Sequence, residues 1–185
     1  MQKGDTAAVL ANAGIAGSGE PLSDRSIMDD VIFARALHVL AVVIWIGGVA
    51  MATTVILPAV RRGDLGGDRL QAFQAIERRF VWQARTAVII VGLTGFYMTW
   101  RLDLWDRFQA ITFWWMHAMV GVWLLFAFIL FVAEPFIMHR HFHQKATEQP
   151  GIALARLHRA HWVLLTLSLI TILGAVAGSQ GWPFF

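Results

Sequence analysis

The chain has 185 residues, of which 57% are hydrophobic and only 15% charged. Soluble domains carry about 25% charged residues, so this composition excludes an ordinary soluble domain and points to one compact membrane bundle. The net charge of +3 sits in short loops between apolar runs, which marks topology rather than nucleic-acid binding, and the absence of cysteine excludes disulfides, thiolate metal sites, iron–sulfur clusters and covalently attached c-type haem.

Residues 1–30 are rich in Ala, Gly and Ser with scattered charge. They lack the cationic start and compact apolar core of a signal peptide. A flexible external tail is expected there, with a short surface helix as the alternative.

Four apolar runs follow, at about 31–58, 81–100, 111–138 and 161–178. Each meets or approaches the roughly 20 residues that cross a hydrocarbon core as a helix. In lipid the backbone must be satisfied internally, and the alternating strands of a closed barrel are absent. The expected fold is all-α, an integral membrane four-helix bundle forming a single domain over residues 31–182. Nine tryptophans, many near the ends of the runs, fit an aromatic belt.

Between the first two runs lies RRGDLGGDRLQAFQAIERRF, residues 61–80. Its Gly-rich start reads as a turn. Leu70, Phe73, Ile76 and Phe80 then share one helical stripe, which predicts an extension of the second helix, an interfacial helix being the alternative. Arg61, Arg62, Arg69, Arg78 and Arg79 follow the first run, and Arg140, Lys145, Arg156 and Arg159 follow the third. The positive-inside rule puts both loops in the cytoplasm and both termini outside. In a bacterium that is a multi-pass inner-membrane protein with periplasmic termini.

Seven histidines fall into two groups. His38 and His117 lie inside apolar runs, where an ionisable group is costly and marks a functional candidate. The first and third helices run in the same direction. At about 1.5 Å per residue the two imidazoles sit within one to two turns of each other in depth. Two such imidazoles can ligate the iron of one b-type haem. Ala41, Val42, Trp45 and Gly48 share the face of His38, and Gly121 lies one turn below His117. Gly92, Gly95, Gly174 and Gly178 offer further room for close approach. The bland alternative is a histidine that hydrogen-bonds across helices beside glycines that merely pack.

Copper is the rival cofactor, because Met116 and Met119 flank His117 and Met98 lies at the same end. Met51 is about 20 Å below His38, however, and no methionine ladder crosses the membrane. At the other end, His139, His141, His143, His158 and His161 sit in a basic stretch. A second haem between His139 and His161, a surface metal site and simple headgroup contact are the readings there. Glu134, next to Pro135, is a kink marker, a proton site or a partner for Arg85, or snorkels at the interface.

LHVLAVVIWIGG with LPAV, and WWMHAMVGVWLLFAF, resemble the first and third helices of the CopD-like superfamily, which includes the HemJ-type protoporphyrinogen oxidases. The resemblance implies a haem site at His38 and His117. HemJ-like enzymes have a lysine shortly after the third-helix histidine. Met119 stands there in this chain, a departure that counts against porphyrinogen oxidation while the haem site of the resemblance still matches. The copper-handling members of the group keep the copper reading open. Three functions are therefore expected in order: a haem b redox protein that transfers electrons with a quinone or a partner protein or carries out a membrane-bound oxidation as a haem-dependent oxidoreductase, a copper transport or resistance protein, and a cofactor-free accessory subunit. The lipid bilayer is the surrounding medium, oligomers are open, and no nucleotide or nucleic-acid motif is present.

Overall fold

The computed structural model describes residues 22–64, 69–134 and 150–182. The chain divides into two compact units, residues 1–33 and residues 34–185. In the first unit the described residues, 22–33, are helical. The second unit holds the rest of the structure.

Among the described residues all regular structure is helical. Helix α1 runs Leu22–Met51, a π-helical turn Ala52–Ile56 follows, and α2 runs Leu57–Arg62. Helix α3 is Arg69–Arg101, α4 is Trp114–Phe128 and α5 is Pro150–Ser179. Two short 3₁₀ segments, Trp105–Gln109 and Ile111–Phe113, lead into α4, and π-helical geometry continues it over 129–134. Four stretches are long and apolar enough to cross a membrane: Met28–Arg62, Arg78–Arg101, Ile111–Glu134 and Gly151–Ser179. They are called spans 1 to 4 below, and the chain is a multi-pass membrane protein on their evidence.

The elements extend beyond the apolar runs. Helix α3 begins at Arg69, as the stripe from Leu70 to Phe80 predicts. Helix α5 begins at Pro150, well before residue 161, because Arg156 and Arg159 lower local hydropathy without disfavouring helix. Pro at the start of a helix loses nothing, since its N–H would have no partner there. Leu154 of this added turn is buried with Leu57 and Val60 of α2. The predicted end of the third helix, 135–138, lies outside the described residues.

The core of the bundle is Ala41, Trp45, Ile46 and Val49 from span 1, Ala84, Ala87, Val88 and Val91 from span 2, Val122, Phe126 and Leu130, and Leu165. Leu93 and Leu173, both more than 60% exposed, face outward as lipid-facing side chains do. Lipid tails are as apolar as leucine, so helices associate here by close packing. Aromatic side chains fill the glycine positions. A Cβ on Gly92 would meet Trp123 at 2.5 Å, one on Gly174 would meet Trp114 at 2.5 Å, and one on Gly178 would meet Trp115 at 2.6 Å. Phe80 occupies the same place over Gly48. The Trp123 indole N–H also donates to the Val88 carbonyl across spans 3 and 2, at 2.8 Å.

Candidate functional site

His38 sits on α1 against Thr94 and Gly95 of α3. Its Nδ1 lies 2.9 Å from Thr94 Oγ1. The threonine hydroxyl has one proton, and it donates that proton to the Ile90 carbonyl, one turn back, at 2.6 Å. Thr94 can therefore only accept from His38, which places the imidazole proton on Nδ1. Nε2 is left as a lone pair. The ring packs over Gly95, whose missing side chain makes room at 3.4 Å from Cε1. Position, tautomer and ring orientation are thus all set by span 2.

His117 is held differently. It is exposed, and its Nε2–H donates to the Phe108 carbonyl at 2.9 Å. The Phe108 ring meets the imidazole edge-on, with centroids 5.6 Å apart. No hydrogen bond or ring contact joins His38 to His117. Trp45, two turns below His38, is buried and crosses Phe126 at 90° with centroids 4.8 Å apart. Its indole N–H has no hydrogen-bond acceptor among the described residues. Gly48 receives Phe80, and nothing lies within 4 Å of a Cβ built on Gly121. Met116 is buried in the core, while Met51 is exposed.

The opposite end of the bundle holds a site that periodicity does not reveal. In the π turn the Leu57 N–H bonds to the Ala52 carbonyl. The Thr53 carbonyl has then lost its usual donor. Its next donor, five residues on, is Pro58, which has no N–H. An unpaired carbonyl in a membrane interior costs several kcal/mol. His158 of α5 answers it, with Nε2 3.0 Å from the Thr53 oxygen. On the other side of the ring, Arg61 Nη1 lies 3.0 Å from Nδ1. A guanidinium can only donate and a carbonyl can only accept. The Arg61 and Thr53 contacts call for a proton on Nε2 alone. The Trp162 indole N–H donates to the same Nε2 at 3.0 Å, which calls for a lone pair there, so no single tautomer satisfies all three contacts.

Span 3 repeats the device. Pro135 follows Leu130 by five residues, as Pro58 follows Thr53. Over 129–134 the helix is again π. The Leu130 carbonyl accepts from Arg85 of span 2, through Nε at 3.0 Å and Nη2 at 2.9 Å. Nη2 also pairs with Glu134 at 2.5 Å. The guanidinium lies 5.6 Å from the Trp82 ring and 5.8 Å from the Phe131 ring. Of the roles open to Glu134 from sequence, the structure displays the partner of Arg85.

His161 is half-buried and its Nδ1–H donates to the Leu157 carbonyl at 3.0 Å. His139, His141 and His143 lie outside the described residues. Among the described residues no three His, Cys, Asp or Glu side chains gather as a metal site. His38 nevertheless has the donor arrangement of a haem ligand: a free Nε2 with Nδ1–H fixed by a partner. His117 offers Nδ1 as it stands, or Nε2 once it leaves Phe108. Thr94, Phe108, Thr53 and His158 were not separable from sequence as partners. The only local signals were hydroxyls inside apolar runs and a proline five residues beyond a threonine.

Comparison of the chain with family models, curated proteins and solved structures finds no match.

Proposed function

We propose that this protein is a b-type haem-binding redox protein of the membrane, in which His38, through Nε2, and His117 would hold the haem iron. One observation carries the reading: the relay from His38 Nδ1–H through Thr94 to the Ile90 carbonyl, which leaves Nε2 as an oriented lone pair inside an apolar bundle. Metal-bound histidines use their second nitrogen in this way. Thr94 lies seven residues from Arg101 and His117 six residues from Ile111, so both stand roughly 10 Å inside the same end of the bundle. The likeness of spans 1 and 3 to the CopD-like group points the same way.

Haem would supply one-electron chemistry. The chain's own residues do the rest. Thr94 holds the proton of His38 on Nδ1 and fixes the ring against Gly95. To hold the iron through Nε2, His117 would give up its bond to the Phe108 carbonyl. A quinone or a partner protein completes the electron path. The Arg-rich end, carrying Arg61, Arg62, Arg78, Arg79, Arg156 and Arg159, faces the cytoplasm in this reading.

The test is the spectrum of the purified protein. A reduced-minus-oxidised difference with a b-type band is expected. His38→Ala and His117→Ala should each abolish the six-coordinate low-spin form. Protein that purifies without haem but with stoichiometric copper overturns the reading.

A further inference from the structure

We propose that a groove between spans 1 and 2 holds one anionic glycerophospholipid, with its phosphate at Arg79, its ester carbonyl on Gln83 and an acyl chain along the groove. The site is independent of haem binding. The groove lies between two contacts of these spans, Phe80 over Gly48 toward the Arg-rich end and His38 on Thr94 toward the other. Its volume is about 320 Å³, and its apolar walls include Leu40, Ala41 and Ile44 of span 1 and Ala87 and Ile90 of span 2. A helix is about 10 Å across, so even a 10 Å length of one fills roughly 800 Å³ and does not fit. A single acyl chain is the narrower guest.

Two polar side chains, Gln83 and Thr86, interrupt the apolar lining. Gln83 lies five residues inside span 2 from Arg78, about 7 Å into the bundle. It is exposed and makes no hydrogen bond among the described residues. A bare amide in hydrocarbon is costly, and a guest that bonds it removes the cost. The Thr86 hydroxyl gives its proton to the Trp82 carbonyl at 3.0 Å, so it can only accept. The free donor of the groove is therefore the Gln83 amide, and a carbonyl on the guest is what it fits.

Charge selects among carbonyl-bearing amphipaths. Arg79 stands four residues before Gln83, one turn nearer the Arg-rich end on the same face of the helix, about 6 Å away along the axis. It is exposed and has no ion pair among the described residues. Arg85, deeper in the span, is turned to span 3 and taken by the Leu130 carbonyl and Glu134. The stripe Arg79, Gln83, Thr86, Ile90 thus runs from cation through amide and hydroxyl to apolar with increasing depth. A glycerophospholipid presents phosphate, ester carbonyl and acyl chain in the same order. Basic residues beside transmembrane helices bind such headgroups. A neutral guest such as a quinone would use Gln83 and leave Arg79 idle.

Native mass spectrometry of the full-length protein in detergent tests the site, with phosphatidylglycerol and phosphatidylcholine of identical chains as probes. The parent should bind one phosphatidylglycerol in preference to phosphatidylcholine. Arg79→Gln should lower phosphatidylglycerol affinity about five-fold, the worth of one basic residue at an anionic headgroup, and leave phosphatidylcholine unchanged. Arg78→Gln removes the same charge about 100° round the helix and should change neither. Gln83→Leu should weaken both lipids, because both carry the ester. Thr86→Trp, at an exposed position, fills the groove and should abolish both. Equal binding of the two lipids by the parent, equal effects of Arg78→Gln and Arg79→Gln, or parent-like binding by Gln83→Leu overturns the proposal. So does displacement of phosphatidylglycerol by equimolar decylubiquinone, or a parent dimer that Thr86→Trp dissociates, since a quinone or a second copy would then cover the groove.

Discussion

Thr94 decides which nitrogen His38 presents to the interior of the bundle. Its single hydroxyl proton is spent on the Ile90 carbonyl, so the histidine must donate from Nδ1 and keep Nε2 bare. Thr94→Val removes the acceptor at nearly constant shape. Loss of such an outer partner costs about 10- to 100-fold in metal affinity. We therefore expect haem titration of the Thr94→Val protein to show weakened binding in that range. Thr94→Ser, which restores the hydroxyl, should recover most of it. If Val and Ser behave alike, the hydroxyl does not orient the ligand.

The glycines give a prediction that separates packing from cofactor room. Gly92→Ala and Gly174→Ala each press a methyl group into a tryptophan ring at 2.5 Å. Overpacking of this kind costs about 1–3 kcal/mol. Gly121→Ala meets nothing within 4 Å. In a helix it should be neutral or stabilising by up to about 1 kcal/mol. Thermal unfolding in detergent should rank Gly121→Ala at or above the parent and the other two below it. Equal melting temperatures for all three would mean that the tryptophans do not sit in these positions.

These contrasts mark what could be read from the sequence. The four spans were legible because crossing a bilayer demands about 20 apolar residues in a row. His38 and His117 stood out because an ionisable group inside such a run is costly. Their partners did not stand out. Whether Thr94 or a neighbour meets His38 depends on how span 2 is rotated about its axis, and a run apolar on every face does not encode that rotation. The glycines announced close approach without naming the guest. The structure puts Phe80, Trp114, Trp115 and Trp123 of this same chain there, and leaves Gly95 for His38. The π turns were invisible because one extra residue leaves no trace in an unbroken apolar run. His158 belongs to a cluster whose sequence leaves headgroup contact, a surface metal site and a second haem open; it lies inside α5 and meets the Thr53 carbonyl of span 1.

Arg85 carries a second test. Its guanidinium serves the Leu130 carbonyl and Glu134 together. Arg85→Met leaves both without a donor. Breaking a buried pair costs about 3–5 kcal/mol. The side chains of Arg85 and Glu134 are 20% and 26% exposed, so solvent screens part of that. A loss of roughly 2 kcal/mol is expected in equilibrium unfolding. Glu134→Gln keeps an acceptor for Arg85 and should cost less. If Glu134→Gln is the more damaging change, the carbonyl is not what Arg85 chiefly serves.

Orientation can be checked independently of any cofactor. A reporter fused between Arg62 and Arg69 should read as cytoplasmic, and one fused at the C-terminus as external, because the basic residues gather at that end of the spans. The reverse pattern would place the His38 end of the bundle on the cytoplasmic side.

Pro58 provides the sharpest test of the bulge. The Thr53 carbonyl is open to His158 because the residue five positions on has no N–H. Pro58→Ala supplies one. The π turn itself should persist, since it is one residue longer than an α turn. Removing it would rotate the buried Leu57 and Val60 by about 100° off their seat on Leu154. The backbone N–H gained by the substitution then reaches the Thr53 carbonyl within the π pattern and displaces His158 Nε2. Global stability should rise or hold, because proline inside a helix is unfavourable by about 3 kcal/mol relative to alanine. The nitrogen NMR signals of His158 should nevertheless change. Nε2 loses the Thr53 carbonyl, while Trp162 and Arg61 stay beside the ring. Unchanged His158 signals in Pro58→Ala would show that the missing proline N–H is not what brings the histidine to Thr53.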